Sequence, residues 1–168
     1  MTERARKVED QPMIRPVIDA DAQDLFGLLS LCYAEYPGCF VDPHDDLPDL
    51  ISPSTSYAET EGAFWAVGDE RGRVCACVAV DFPESGTAEL HRLYVRSDQR
   101  GQGLGSLLVR QAESHARVRG AERIVLWSDT RFTTAHRLYK RLGYTQIDGQ
   151  RQLTDISKSA EYRFEKAL

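Results

Sequence analysis

Hydrophobic positions along the chain switch between two periods. Leu25, Leu28, Leu29 and Cys32 recur at three- and four-residue spacing, which predicts a helix over residues 20–33 with Asp19 and Asp21 as N-cap candidates. Leu104, Leu107, Leu108, Ala112 and His115 mark the inner face of a second helix, 104–118, ended by Arg119 and Gly120. Phe132, Ala135, Leu138, Tyr139 and Leu142 form one face of a third, closed by Gly143. Between these lie strand-like runs at 13–17, 63–67, 74–82, 88–95, 123–127, 144–147 and 161–165. Asp69-Glu70-Arg71-Gly72 turns the second run into the third as a hairpin, and 83–86 turns the chain again. Residues 36–56 have the least regular pattern: Tyr36-Pro37-Gly38, an acidic stretch at 42–49, then a Pro/Ser/Thr-rich run at 52–56. A loop with one short helix near 47–51 is expected there. Strands precede, flank and follow the last two helices. That order predicts an α/β fold with a mixed, mostly antiparallel central sheet of six to seven strands and flanking helices, not a regular βαβ series.

A chain of 168 residues is one domain, expected over 13–168 behind a disordered leader at 1–12. Its net charge of −5 argues against a nucleic-acid binder. No apolar run approaches the ~20 residues that span a membrane, and the N-terminus has no signal-peptide pattern, so a cytoplasmic protein is expected. A homodimer is left open. Cys75 and Cys77 sit two apart in a strand pattern, which places both on one face, and no Cys-x-x-Cys spacing is present. All four cysteines, including Cys32 and Cys39, read as buried free thiols, and no metal is expected.

The chemistry begins at Gln99-Arg100-Gly101-Gln102-Gly103-Leu104-Gly105-Ser106, between a strand and a helix. Alternate glycines there bare backbone N–H groups at a helix N-terminus, an anion seat suited to phosphate. The Walker loop is excluded because no lysine follows, and the Rossmann fingerprint because position 106 is serine. The segment 100–105 instead resembles Arg/Gln-x-x-Gly-x-Gly/Ala, the acyl-CoA pyrophosphate loop of the GNAT superfamily of N-acetyltransferases. Residues 88–95 resemble that family's splayed fourth strand, and 135–144 its Ala-x-x-x-Tyr-x-x-x-Gly-Phe/Tyr segment. One position departs: Phe132 stands where the family often has an asparagine that contacts the CoA arm, so that contact falls to a neighbour such as Ser128, Asp129 or Thr130.

The resemblance implies a sheet splayed at an acyl-CoA cleft and transfer of an acetyl group from acetyl-CoA to an amine by direct attack. It implies cofactor contacts from Leu93, Tyr94 and Val95 and from Arg100, Gly101, Gln102, Gly103, Leu104, Gly105 and Ser106. Glu89 matches a strand-borne general base, with His91 in reserve, and Tyr139 matches the tyrosine that protonates the departing thiolate. The expected acceptor is a primary amine of a small molecule or amino acid-like compound, with a protein or peptide amine, or a catalytically silent CoA-binding module, as alternatives. Arg92, Arg131 and Arg151 could hold a substrate carboxylate, and Asp42, Asp45, Asp46 and Asp49 could attract a cation.

Overall fold

Val74–Glu84 is buried without a break over its first seven residues, because helices cover both faces of the sheet there. The computed structural model describes residues 12–42 and 47–168; the leader expected at 1–12 thus lies almost wholly outside the described residues, as do Asp45 and Asp46. The strands are β1 (Ile14–Pro16), β2 (Ala63–Gly68), β3 (Val74–Glu84), β4 (Thr87–Val95), β5 (Arg123–Asp129), β6 (Thr145–Gln152) and β7 (Ala160–Ala167). They form one sheet in the order β1-β2-β3-β4-β5-β7-β6. The helices are α1 (Ala22–Tyr33), α2 (Pro53–Glu59), α3 (Leu104–Val118) and α4 (Thr133–Arg141). Leu25, Leu28 and Leu29 of α1 and Tyr57 of α2 pack on one face with Phe64, Ala66 and Ala79. Leu104, Leu108 and Ala112 of α3 and Tyr139 of α4 pack on the other with Val78, Leu90, Leu126 and Phe164.

One junction creates the site. Among the described residues only β4 and β5 run parallel, and they pair at Thr87↔Arg123, Ala88↔Ile124 and Glu89↔Val125. Past Glu89, β4 continues on β3 to Val95 while β5 continues on β7 to Asp129, so the sheet opens between them. A β-bulge bends β4 inside this opening. Pairing steps from Ala79↔His91 to Cys77↔Tyr94, and Arg92 takes a left-handed φ of 54°.

Three expectations change. The Pro/Ser/Thr-rich run at 52–56 is not loop but the start of α2. Pro53 fits the first turn, and Asp19 caps from a distance, its carboxylate accepting from the Ser54 and Thr55 N–H groups at 2.8 and 3.1 Å. Cys75 and Cys77 do not share a face. The register slips from Val67↔Ala76 to Gly68↔Val74, a bulge that sends Cys75 into the α3-side cluster and Cys77 into the α1-side one. Asp19 and Asp21 make no side-chain cap to α1; Asp21 instead accepts the Ile18 N–H and pairs with Arg15. All four cysteines are buried and free. No helix among the described residues is long and apolar enough to cross a membrane.

Candidate active site

From β4 the chain passes a short 3-10 turn, Ser97–Gln99, into the glycine loop and α3. Gly101 and Gly103 both have φ of 78°, a conformation L side chains rarely adopt, and open space where a Cβ would stand. The first α3 ladder bond is Leu107 N–H to Gly103 C=O at 3.0 Å, and no side chain caps the helix. The N–H groups of Leu104, Gly105 and Ser106 precede that bond and carry the positive end of the helix dipole. Gly105 serves packing instead. A Cβ there would lie 3.0 Å from Leu138 Cδ2, so its absence lets α3 approach α4. A cavity of about 290 Å³ opens over this loop, lined by Leu93, Val95, Arg100, Gly101, Gly103 and Ser106 among others.

Two expected cofactor contacts, Gln102 and Tyr94, point away from this cavity, and the Arg100 side chain, which lines it, is already paired. Gln102 borders a separate groove. The Tyr94 ring turns toward α1, its hydroxyl 3.3 Å from that of Tyr33. The Arg100 guanidinium donates twice to Glu35, both at 2.7 Å, and once to the Val95 carbonyl at 2.9 Å, which latches the loop to the end of α1.

A second cavity, of about 480 Å³, spans the sheet opening and shares Leu93, Phe132 and Ala135 with the first. Glu89, the last residue paired to β5, lines it together with Asp81 and His91. His91 Nε2 lies 3.1 Å from Asp81 Oδ1 and 3.9 Å from Glu89 Oε1. Burial pushes the imidazole down, but the hydrogen bond and charge of Asp81, with Glu89 behind it, hold it above its ordinary value. One ligand-type atom from each of the three lies within 4.8 Å of the others, so this trio has the reach to hold a divalent cation.

Tyr139 lines the same cavity from α4, and burial raises its phenol well above the ordinary value. Tyr57, Tyr94 and Tyr144 spend their hydroxyls on Asp49, Tyr33 and Glu113. The Tyr139 hydroxyl has no hydrogen-bond partner among the described residues.

The charged candidates are already committed. Arg92 is bidentate on Asp49 at 3.1 and 2.7 Å, so neither of that pair is free for substrate charge. Arg131 donates to both oxygens of Asp129 at 2.9 and 2.7 Å, and Arg151 to Glu161 at 3.1 Å. Phe132 packs its ring against Tyr33 and Tyr36. Beside it the structure brings in a residue that periodicity hides: His136, buried on α4, places Nε2 3.2 Å from the hydroxyl of Ser128, which lines the cavity. His136 falls outside the Phe132/Ala135/Leu138/Tyr139 face read from spacing, and only its position next to Ala135 in the helical motif could have flagged it.

An uncharacterized N-acetyltransferase of Schizosaccharomyces pombe is 36% identical over 97 residues, which is 57% of this chain and 60% of that relative. The chain spans 60% of that relative, and about half of an N-acetyltransferase 8F1 of Rattus norvegicus and of a probable N-acetyltransferase 14 of Xenopus tropicalis. Among solved structures, a GNAT-family acetyltransferase of Staphylococcus aureus superposes with a TM-score of 0.80 at 17% identity, covering 94% of this chain and 99% of its own. The yncA protein of Salmonella typhimurium, solved with its cofactor acetyl-CoA, superposes at 0.73 with 17% identity and 94% coverage of both. The family model described as acetyltransferase (GNAT) family matches residues 24–144, from the start of α1 to the end of α4. That span is well over half of the chain, and the chain belongs to the GNAT acetyltransferase family.

Proposed function

We propose that the chain is an acetyl-CoA-dependent N-acetyltransferase that acetylates a primary amine of a small molecule by direct attack. The observation that carries this reading is the unpartnered phenol of Tyr139 at the sheet opening, where every other buried tyrosine hydroxyl is bonded. A protonated phenol with a free O–H is what a departing thiolate needs. The curated relative and the acetyl-CoA-bound neighbour support the same chemistry. The second cavity, at about 480 Å³, has the size of a small-molecule site.

The chain's own groups divide the work. The uncapped N–H groups of Leu104, Gly105 and Ser106 hold the pyrophosphate of acetyl-CoA, the group that supplies the acetyl thioester. Beyond Glu89 the β4 edge is unpaired on the β5 side, so backbone N–H groups around Leu93–Val95 would be the ones to hold the thioester carbonyl oxygen. Glu89 takes the amine proton. An amine of pKa near 10.4 is neutral in only about one molecule in ~2,500 at pH 7, so a base matters there. The raised His91 value keeps more of that ring as imidazolium, the form that cannot accept a proton, which favours Glu89 over His91.

The test is CoA thiol release from acetyl-CoA over a panel of amines, with the product identified by mass. Release with small amines is expected. Release confined to peptide amines moves the reading to protein acetylation, and acetyl-CoA binding without release on any amine makes the chain a silent CoA-binding module.

A further inference from the structure

Arg92 and Arg151, which line the acceptor cavity, and Arg131 beside it each hold one of the protein's own carboxylates: Arg92 holds Asp49, Arg131 holds Asp129 and Arg151 holds Glu161. A carboxylate-bearing acceptor would have to break one of these pairs. Arg151 is further fixed by Trp127, whose ring its guanidinium covers at 4.2 Å.

What remains is uncompensated negative charge, in two places on opposite sides of the opening. On the β3–β4 side, Asp81 and Glu89 share a single imidazole, His91. On the β5–β7–β6 side, Asp129, Asp155 and Glu161 face two guanidiniums, those of Arg131 and Arg151. The Asp155 carboxylate accepts from the Ser159 N–H at 2.7 Å and the Ser159 hydroxyl at 2.6 Å, and pairs with no lysine or arginine among the described residues. The crowding registers on Glu161. Its carboxyl is raised by burial, opposed by Arg151, and raised again by the charges of Asp129 and Asp155. Both acidic poles line the same cavity, and Leu90, Leu93, Trp127 and Phe132 are among its apolar lining. Arg151, Asp155 and Glu161 also lie beyond residue 144, outside the residues 24–144 that the family model matches.

We propose that the acceptor is an aliphatic diamine without a carboxylate, its reacting amine seated at Asp81, Glu89 and His91 and its second ammonium at Asp155. The proposal rests on the N-acetyltransferase reading. The free amine nitrogen bonds to the acetyl carbon, the carbon–sulfur bond breaks, the amine proton passes to Glu89, and the thiolate takes a proton from Tyr139. The second ammonium stays protonated and supplies the cation that the far wall lacks. One pole alone would accept any amine; two poles select for a second charge at a set distance.

The wild-type enzyme is assayed with diamines of three to six methylenes, with butylamine, which lacks the second ammonium, and with ornithine, which adds a carboxylate to 1,4-diaminobutane. A hydrogen bond to a charged group corresponds to about 10- to 100-fold, so kcat/KM for the best diamine is expected to exceed both comparators by at least about 10-fold. In Asp155→Asn the ratio of that diamine to butylamine is expected to fall toward one. Butylamine or ornithine within about 3-fold of the best diamine overturns the proposal without the variant, and so does an unchanged ratio in the variant. Release with some amine but no preference for diamines removes only the diamine; no release with any amine removes the acetyltransferase reading itself.

Discussion

The hydroxyl of Ser128 stands 3.2 Å from Nε2 of His136, at the end of β5 where the sheet has already opened. Burial lowers the His136 imidazole, against a hydrogen bond to the Asp129 backbone that raises it, so the ring is neutral near pH 7. The Nε2–hydroxyl contact runs in either direction according to the ring's tautomer. We propose that the Ser128 hydroxyl takes over the contact to the CoA arm that Phe132 cannot make. Ser128→Ala is expected to weaken acetyl-CoA binding by about 3- to 10-fold. Binding of adenosine 3′,5′-bisphosphate, which has no pantetheine arm, is expected to hold. Equal weakening of both ligands in calorimetry would show a general loss of structure.

Tyr139→Phe removes one hydroxyl that has no hydrogen-bond partner among the described residues and keeps the ring packed on Phe164 and Tyr144. Stability is expected to change by less than about 0.5 kcal/mol in urea. The rate constant kcat is expected to fall by about 10- to 1,000-fold, the range for a positioned acid. Unchanged turnover would assign Tyr139 to the core alone.

For Glu89→Gln the loss in kcat/KM is expected to be largest at neutral pH on an amine of pKa near 10.4, and to shrink as pH approaches that value. Solvent then delivers the neutral nucleophile without help. A defect of constant size from about pH 7 to about pH 9.5 would point to positioning.

Gly103→Ala puts a side chain at φ 78°, a conformation that costs about 1–2 kcal/mol, and distorts the start of α3. Acetyl-CoA binding is expected to weaken about 10-fold or more in the folded variant. Undiminished affinity would mean the anion seat lies elsewhere.

Asp81→Asn removes the partner that raises His91, so the imidazole midpoint followed by NMR is expected to fall. The sign for stability follows from linkage. A folded value above the unfolded one, about 6.5, adds stability fully below that pH and loses it as pH rises through the folded value. The gap between the parent and Asp81→Asn is therefore expected to be widest in mildly acid solution and to close toward alkaline pH. A gap that widens with pH would contradict the pairing.

The long periodic elements were legible because their order repeats every few residues. The α3 boundaries, Leu104–Val118, follow from its apolar stripe and terminal glycine, and the six to seven strands expected are seven. Glycine alternation marked the anion loop for the same local reason: Gly101 and Gly103 need a backbone conformation that other residues resist. The acidic and basic candidates were poorly legible. Arg92 and Asp49 are 43 positions apart in the chain and cancel each other only once the β4 bulge and the turn before α2 meet.

The sequence by itself determined the order of the strands and of the three long helices and the glycine loop between β4 and α3, since each rests on spacing within a short window. Tertiary structure alone decided the rest. It capped α2 with Asp19, 35 residues away from Ser54. It used bulges to turn Cys75 from Cys77 and to strain Arg92. It spent Arg100 on Glu35, and it left Tyr139 as the one buried tyrosine, among those described, whose hydroxyl is unbonded. The physical reason is common to all four. A hydrogen bond or ion pair depends on where two groups stand in space, and separation along the chain does not report that distance.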